Sequence, residues 1–115
     1  MPLLKLTTSV NVTAEQRQAL LPALSKTLAK TLGKPEQYVM IALHSSDILF
    51  GGQADAAAFA DVRSIGGLDS ETNARLAREV SQILHQALGI PPARVFLNFT
   101  NVEAGNWGWN GDTFG

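Results

Sequence analysis

Leucine marks one face of the segment that follows Thr13. Leu20, Leu21, Leu24, Leu28 and Leu32 recur at i, i+1, i+4, i+8 and i+12, the spacing of a helix with one apolar side. Thr13-Ala14-Glu15-Gln16 ahead of it has the form of a capping box, a hydroxyl followed three residues later by an amide. Gly33 supplies a left-handed stop and Pro35 forbids continuation. A second face, Leu76, Val80, Ile83, Leu84 and Leu88, begins after a cap at Asp69 or Ser70 and stops at Gly89 and Pro91. Four apolar runs flank these helices and read as strands: Leu3 to Val10, Tyr38 to Leu43, Phe59 to Ile65 and Val95 to Thr100. One local conflict stands inside the first helix. Pro22 removes a backbone bond there, which predicts a kink or a late start of the regular helix.

The two halves are copies. At an offset of 56, Glu15/Glu71, Leu20/Leu76, Ser25/Ser81, Leu28/Leu84, Leu32/Leu88, Gly33/Gly89, Pro35/Pro91 and Val39/Val95 are identical pairs, eight over 25 positions. Both helices end in Leu-Gly-x-Pro at the same phase, and a strand follows each. The repeat, roughly 3–43 and 59–100, is strand–helix–strand twice. Right-handed crossovers then predict an α+β fold of two pseudo-symmetric βαβ units. Its four-stranded mixed sheet carries two antiparallel helices on one face. Val39 to Leu43 and Val95 to Phe99 do not alternate apolar with polar, so both faces of the sheet are expected to be covered. Two helices cover one face only, and the second cover is expected from another chain. Gly105 to Phe114 holds Trp107, Trp109 and Phe114, a tail expected to dock rather than fray, on a neighbouring chain.

Composition narrows the function more than the fold. A length of 115 residues is a single domain, 1–115. A net charge of −1 offers no footprint for nucleic acid and no polybasic membrane anchor. There is no Cys, so disulfides, thiol nucleophiles and thiolate metal sites are excluded. His44 and His85 are far apart in the chain with no clustered carboxylates, and no metal is expected. No basic segment and apolar core of a secretory leader opens the chain, and its longest apolar run, Tyr38 to Leu43, is far too short to span a bilayer. The cytosol is the default compartment. Gly51-Gly52 and Gly66-Gly67 are turn signals without the Lys of a phosphate loop, and no Gly-x-Ser-x-Gly elbow occurs.

What remains is a set of individually weak features: Pro2 behind the initiator, Lys34 in a helix stop, Asn98 in an apolar strand and the Trp-rich tail. Together they resemble the macrophage migration inhibitory factor family of the tautomerase superfamily, from end to end. The matching pieces are Met1-Pro2, Thr31-Leu32-Gly33-Lys34-Pro35 with Gln37-Tyr38, Phe50-Gly51-Gly52, Arg63-Ser64-Ile65-Gly66, Val95-Phe96-Leu97-Asn98-Phe99, and Asn106-Trp107-Gly108-Trp109-Asn110 with Thr113-Phe114.

The resemblance implies a homotrimer whose C-terminal segments pair across subunits. It also implies a cofactor-free keto–enol tautomerase of small α-keto acids such as phenylpyruvate. Removal of Met1 would expose Pro2, whose secondary amine is the general base. By position, Lys34 matches the carboxylate-binding lysine and Ile65 the residue whose backbone contacts substrate, with Ser64 beside it. Asn98 matches a pocket amide from an adjacent subunit, and Trp109 and Phe114 match an aromatic wall. Phe96 and Trp107 also fall in the substrate pocket. Phe96 replaces the tyrosine of vertebrate members, and Trp107 replaces a small aliphatic residue. Ala57 and Ala60 replace a Cys-x-x-Cys pair found in some members, which removes any thiol oxidoreductase activity. The family also contains cytokine-like proteins exported without a leader, so a signalling protein with incidental tautomerase activity is the rival expectation.

Overall fold

Thr13 and Asp69 start two helices of equal length. Thr13 accepts from the Gln16 amide at 3.1 Å while the Gln16 side chain accepts from the Thr13 amide at 2.9 Å, closing the expected capping box. Asp69 accepts from the Thr72 amide at 2.8 Å, and that bond holds its carboxyl below the usual carboxylate range. In the computed structural model, which describes residues 1–115, the order is β1 (Pro2–Thr8), α1 (Ala14–Leu32), β2 (Met40–Ser45), β3 (Ala58–Ser64), α2 (Ser70–Leu88), β4 (Val95–Asn101), then β5 (Gly108–Trp109) and β6 (Asp112–Thr113). Short 3-10 turns at Glu36–Tyr38 and Pro92–Arg94 lead into β2 and β4. The offset of 56 therefore maps β1 onto β3, α1 onto α2 and one 3-10 turn onto the other without a gap. Gly33 and Gly89 end the helices at φ 64° and 71°, a conformation that costs a side chain but not glycine.

The sheet order is β2-β1-β3-β4. β1 runs parallel to β2 and antiparallel to β3, and β3 runs parallel to β4, which is the mixed sheet of two βαβ units side by side. Alternate residues of the central strands, Leu4 and Leu6 on β1 and Ala60 and Val62 on β3, are fully buried. They meet Leu20, Leu24 and Leu28 of α1 and Leu76, Val80 and Leu84 of α2 in one core. Each large side chain there contributes about 1.5–3 kcal/mol of transfer free energy. No helix is long and apolar enough to cross a membrane.

Several expectations are corrected. α1 begins at Ala14 and passes through Pro22 without a break, so there is no late start. Pro22 is exposed, and its missing N–H falls opposite Gln18 on the wet side, where water can serve the carbonyl. β1 ends at Thr8 rather than Val10, because Thr8 Oγ1 donates to Ala57 O at 2.9 Å and accepts from the Val10 amide at 3.2 Å, turning the chain away. Tyr38 belongs to a 3-10 turn, not to β2, since Pro35 O accepts its amide at 3.1 Å. The sheet face away from the helices mixes apolar and charged residues within one chain. Met40, Phe59 and Phe96 there are 64%, 40% and 62% exposed, and the central strands also present Lys5, Thr7, Asp61 and Arg63. The tail docks rather than frays. It folds into the β5–β6 hairpin and stacks Trp109 on Phe114 and edge-on against Tyr38.

Arg94 is an organising residue the sequence pattern did not single out. Its guanidinium donates to the carbonyls of Phe50 (2.8 Å), Asp55 (2.9 Å), Gln53 (3.2 Å) and Ala56 (3.3 Å), and lies 4.9 Å from the Phe50 ring centroid. Arg94→Ala leaves these carbonyls to water where it can reach them. The variant is expected to lose about 2 kcal/mol, near the value of one or two charge-assisted bonds. Thermal denaturation reads that loss, and hydrogen exchange should show the segment from Phe50 to Ala57 opening first.

Candidate functional site

One end of the molecule collects almost every residue the sequence singled out, and chain topology is the reason. β1 and β2 both start there. β3 and β4, antiparallel to them, both end there. α1 returns from the far end of β1, so Gly33 and Lys34 also arrive there, and the tail after β4 closes over it. The first residue of β1 is Pro2, fully buried, whose cross-strand partner is Ser64 at the end of β3.

Around Pro2 lies a cleft of about 440 Å³. Its floor and rim are Met1, Pro2 and Leu3, with Tyr38, Val39 and Met40 on one side. The other side is Trp107, Trp109 and Phe114. Trp109 and Phe114 stack with ring centroids 5.8 Å apart and planes 11° apart, and Tyr38 meets Trp109 edge-on at 5.8 Å. Such contacts each add about 0.5–1.5 kcal/mol beyond area burial, which fixes the wall before any ligand arrives.

The electrostatics of the cleft centre on two amines. Burial holds the Met1 ammonium below the usual α-amino range, and the nearby Lys34 cation pushes it the same way. Lys34 is half-buried, and its Nζ donates to the carbonyl of Ile65 at 3.3 Å. An ammonium has three donors, so Lys34 keeps capacity for an anion. Ile65 is held in turn. Gly66 and Gly67 follow at φ 72° and 84°, and Asn101 clamps the loop by accepting from the Leu68 amide (3.2 Å) and donating to the Leu68 carbonyl (2.8 Å).

The nine predicted site residues divide. Pro2, Trp107, Trp109 and Phe114 line the cleft; Lys34 is not in its lining but its charge reaches the Met1 amine, and its Nζ holds the Ile65 carbonyl. Ser64 is fully buried, is not among the cleft residues, and its Oγ has no hydrogen-bond partner. Phe96 and Asn98 stand elsewhere in the chain. Phe96 pairs with Phe59, which pairs with Thr7, five residues along β1 from Pro2 and so roughly 17 Å away along the strand. It packs on Phe50 at 4.4 Å. Asn98 lies opposite Asp61, itself opposite Lys5, and is exposed.

Two features went unpredicted. Tyr38, Val39 and Met40 line the cleft because β2 of a βαβ unit starts where β1 starts, which the topology alone implies. The tail hairpin turns on Asn110 (φ 53°) and Gly111 (φ 77°), and an Asn-Gly pair is the sequence signal for that turn. No group of three or more His, Asp or Glu residues is close enough to hold a metal ion.

Known proteins match this chain along its whole length. The family model described as Macrophage migration inhibitory factor (MIF) matches residues 1–115. A macrophage migration inhibitory factor from Xenopus laevis is 38% identical over 96 residues, 83% of this chain and 84% of that protein. The crystal structure of a macrophage migration inhibitory factor homologue from Prochlorococcus marinus superposes with a TM-score of 0.93 at 39% identity, covering 98% of this chain and 99% of the other. The Toxoplasma gondii macrophage migration inhibitory factor superposes at 0.94 with 36% identity over 97% of this chain and 99% of that chain.

Proposed function

The chain belongs to the macrophage migration inhibitory factor family of the tautomerase superfamily, and from that premise we propose that it is a cofactor-free keto–enol tautomerase of small α-keto acids such as phenylpyruvate. The observation that carries this reading is the placement of Pro2, fully buried at the start of β1, in the floor of an aromatic cleft, where burial and the Lys34 cation already lower the amine of the preceding Met1. Loss of Met1 makes the Pro2 nitrogen a secondary amine. A base works best when it titrates near the operating pH, and an α-amino group pushed below its ordinary value of ~8 meets that condition.

In the proposed reaction Lys34 holds the substrate carboxylate. The Pro2 lone pair takes a proton from the carbon next to the keto group. The C–H electron pair forms the new C=C bond, and the carbonyl π pair moves onto oxygen, which is protonated to the enol. The reverse sequence gives the keto acid. Asn98 is suited to donate to the oxygen as charge develops there, provided that another copy of the chain brings it to the cleft.

We propose that this second copy belongs to a homotrimer. Phe96 and Asn98 stand too far from Pro2 to serve it within one chain, and Met40, Phe59 and Phe96 leave apolar surface on the open face. Light scattering at micromolar concentration is expected to give three times the chain mass of 12.3 kDa. A stable monomer would leave the cleft without its amide and remove that part of the mechanism. The tautomerase reading as a whole is tested by phenylpyruvate ketonisation with the form that begins at Pro2.

A further inference from the structure

The open face of the sheet carries one row of residues next to the base. Leu3 is the cross-strand partner of both Met40 and Arg63, so the row runs Met40–Leu3–Arg63 across three strands. The cleft at the N-terminus covers the Met40–Leu3 end. A second cleft, of about 250 Å³, covers the Leu3–Arg63 end beneath Val102 and Asn106. Leu3, Trp107 and Gly108 line both, so the two are compartments of one trough.

Arg63 is the only ionisable residue lining the second compartment. Asp61, two residues back on the same strand, accepts from its Nε at 3.4 Å and from Nη2 at 3.1 Å. That grip fixes one edge of the guanidinium. Arginine has five N–H donors, so the Nη1 edge is left for another acceptor. Asp61 also faces Lys5 across the β1–β3 pair, so Lys5, Asp61 and Arg63 together keep one net positive charge. The Arg63 side chain is 52% exposed within the single chain. It sits one residue from Ser64, the partner of Pro2, and so within reach of a small molecule whose other end lies at the base.

We propose that Arg63 is a second anion-binding residue of this site, which receives a carboxylate at the far end of the substrate. The substrates this chain prefers are then α-keto diacids. Lys34 takes the carboxylate beside the keto group, Pro2 the adjacent carbon-bound proton, Leu3 the methylenes and Arg63 the distal carboxylate. This assignment rests on the tautomerase reading and narrows it.

The test uses the form that begins at Pro2 and follows hydrogen–deuterium exchange at the carbon beside the keto group by NMR. The two substrates are a six-carbon α-keto monoacid and the six-carbon α-keto diacid. The diacid is expected to exceed the monoacid about tenfold in kcat/KM, the scale of one charge-assisted hydrogen bond. Arg63→Gln is expected to bring that ratio close to one. Arg63→Lys, a point charge without the planar fork, is expected to keep part of it. A wild-type ratio near one, with the monoacid turned over, overturns the Arg63 assignment and leaves the tautomerase reading standing. So does an unchanged ratio in Arg63→Gln. Exchange of neither acid overturns the tautomerase reading and this one with it.

Discussion

Chain that retains Met1 is expected to show no useful tautomerisation of phenylpyruvate, whereas chain beginning at Pro2 is expected to be active. With Met1 attached, the Pro2 nitrogen is a tertiary amide. Its lone pair is delocalised into the carbonyl, which is what makes the peptide bond planar, and it accepts no proton near neutral pH. Met1 also lines the cleft, in space a substrate needs. Its own primary amine is lowered by burial and by Lys34, but it is displaced by one residue, and Cα atoms across a trans peptide are about 3.8 Å apart. A base moved that far does not meet the substrate carbon in the geometry Lys34 imposes. A positioned general base contributes about 10²–10⁴ in rate, and that is the loss expected. Both forms should be prepared, confirmed by intact mass and assayed side by side. Equal activity would remove Pro2 as the base.

Lys34→Ala is expected to lower kcat/KM by about tenfold to a hundredfold while the fold survives. A charge-assisted hydrogen bond to the substrate carboxylate is worth about 1.5–3 kcal/mol, which spans that range. The cost in stability is small, because the half-buried side chain makes one hydrogen bond, to Ile65. The pH profile carries the sharper signature. In the chain that carries Met1, burial first and the Lys34 cation second lower the terminal amine, and the Pro2 amine, one residue further in, is expected to feel both. Removing the cation leaves burial alone, so the pKa of the amine rises. More of the base is then protonated at neutral pH, and the acidic limb of the kcat/KM profile moves to higher pH. The loss relative to wild type should be larger at pH 6 than at pH 9, where the amine is neutral in both and only the carboxylate contact is missing. An acidic limb that stays in place would show that Lys34 does not tune the base. Unchanged kinetics would reduce it to a helix-end charge.

Local chemistry made much of this protein legible from residues alone. Thr13 and Gln16, Asp69, Gly33 and Gly89 act through bonds to their own backbone neighbourhood, so the helix boundaries followed from short-range rules. The repeat carried the topology, because two copies of strand–helix–strand with right-handed crossovers leave few ways to build one sheet. Pro2, Lys34 and the tryptophans were readable as candidates because a family pattern marks them. Strand ends were less legible. Thr8 ends β1 through a bond to Ala57, 49 residues away, and no local signal announces a partner so distant.

The site itself was decided by tertiary structure. Antiparallel pairing of β1 with β3 puts the chain start beside Ser64 and Ile65, and the crossover brings Lys34 to the same end. The same pairing sends Phe96 and Asn98 away from Pro2, a separation that reading β4 by itself could not reveal. Continuous apolar runs in β2 and β4 predict a sheet covered on both faces, and within one chain the open face leaves Met40, Phe59 and Phe96 exposed beside charged residues. The charges lie on the central strands, where Lys5 and Asp61 face each other and Arg63 lies beside Leu3. Hydropathy is a property of one strand at a time, whereas the character of a face is set by register between strands. Register is fixed by the buried side chains of the opposite face, Leu4, Leu6, Ala60 and Val62, since a slip of one residue would expose them all.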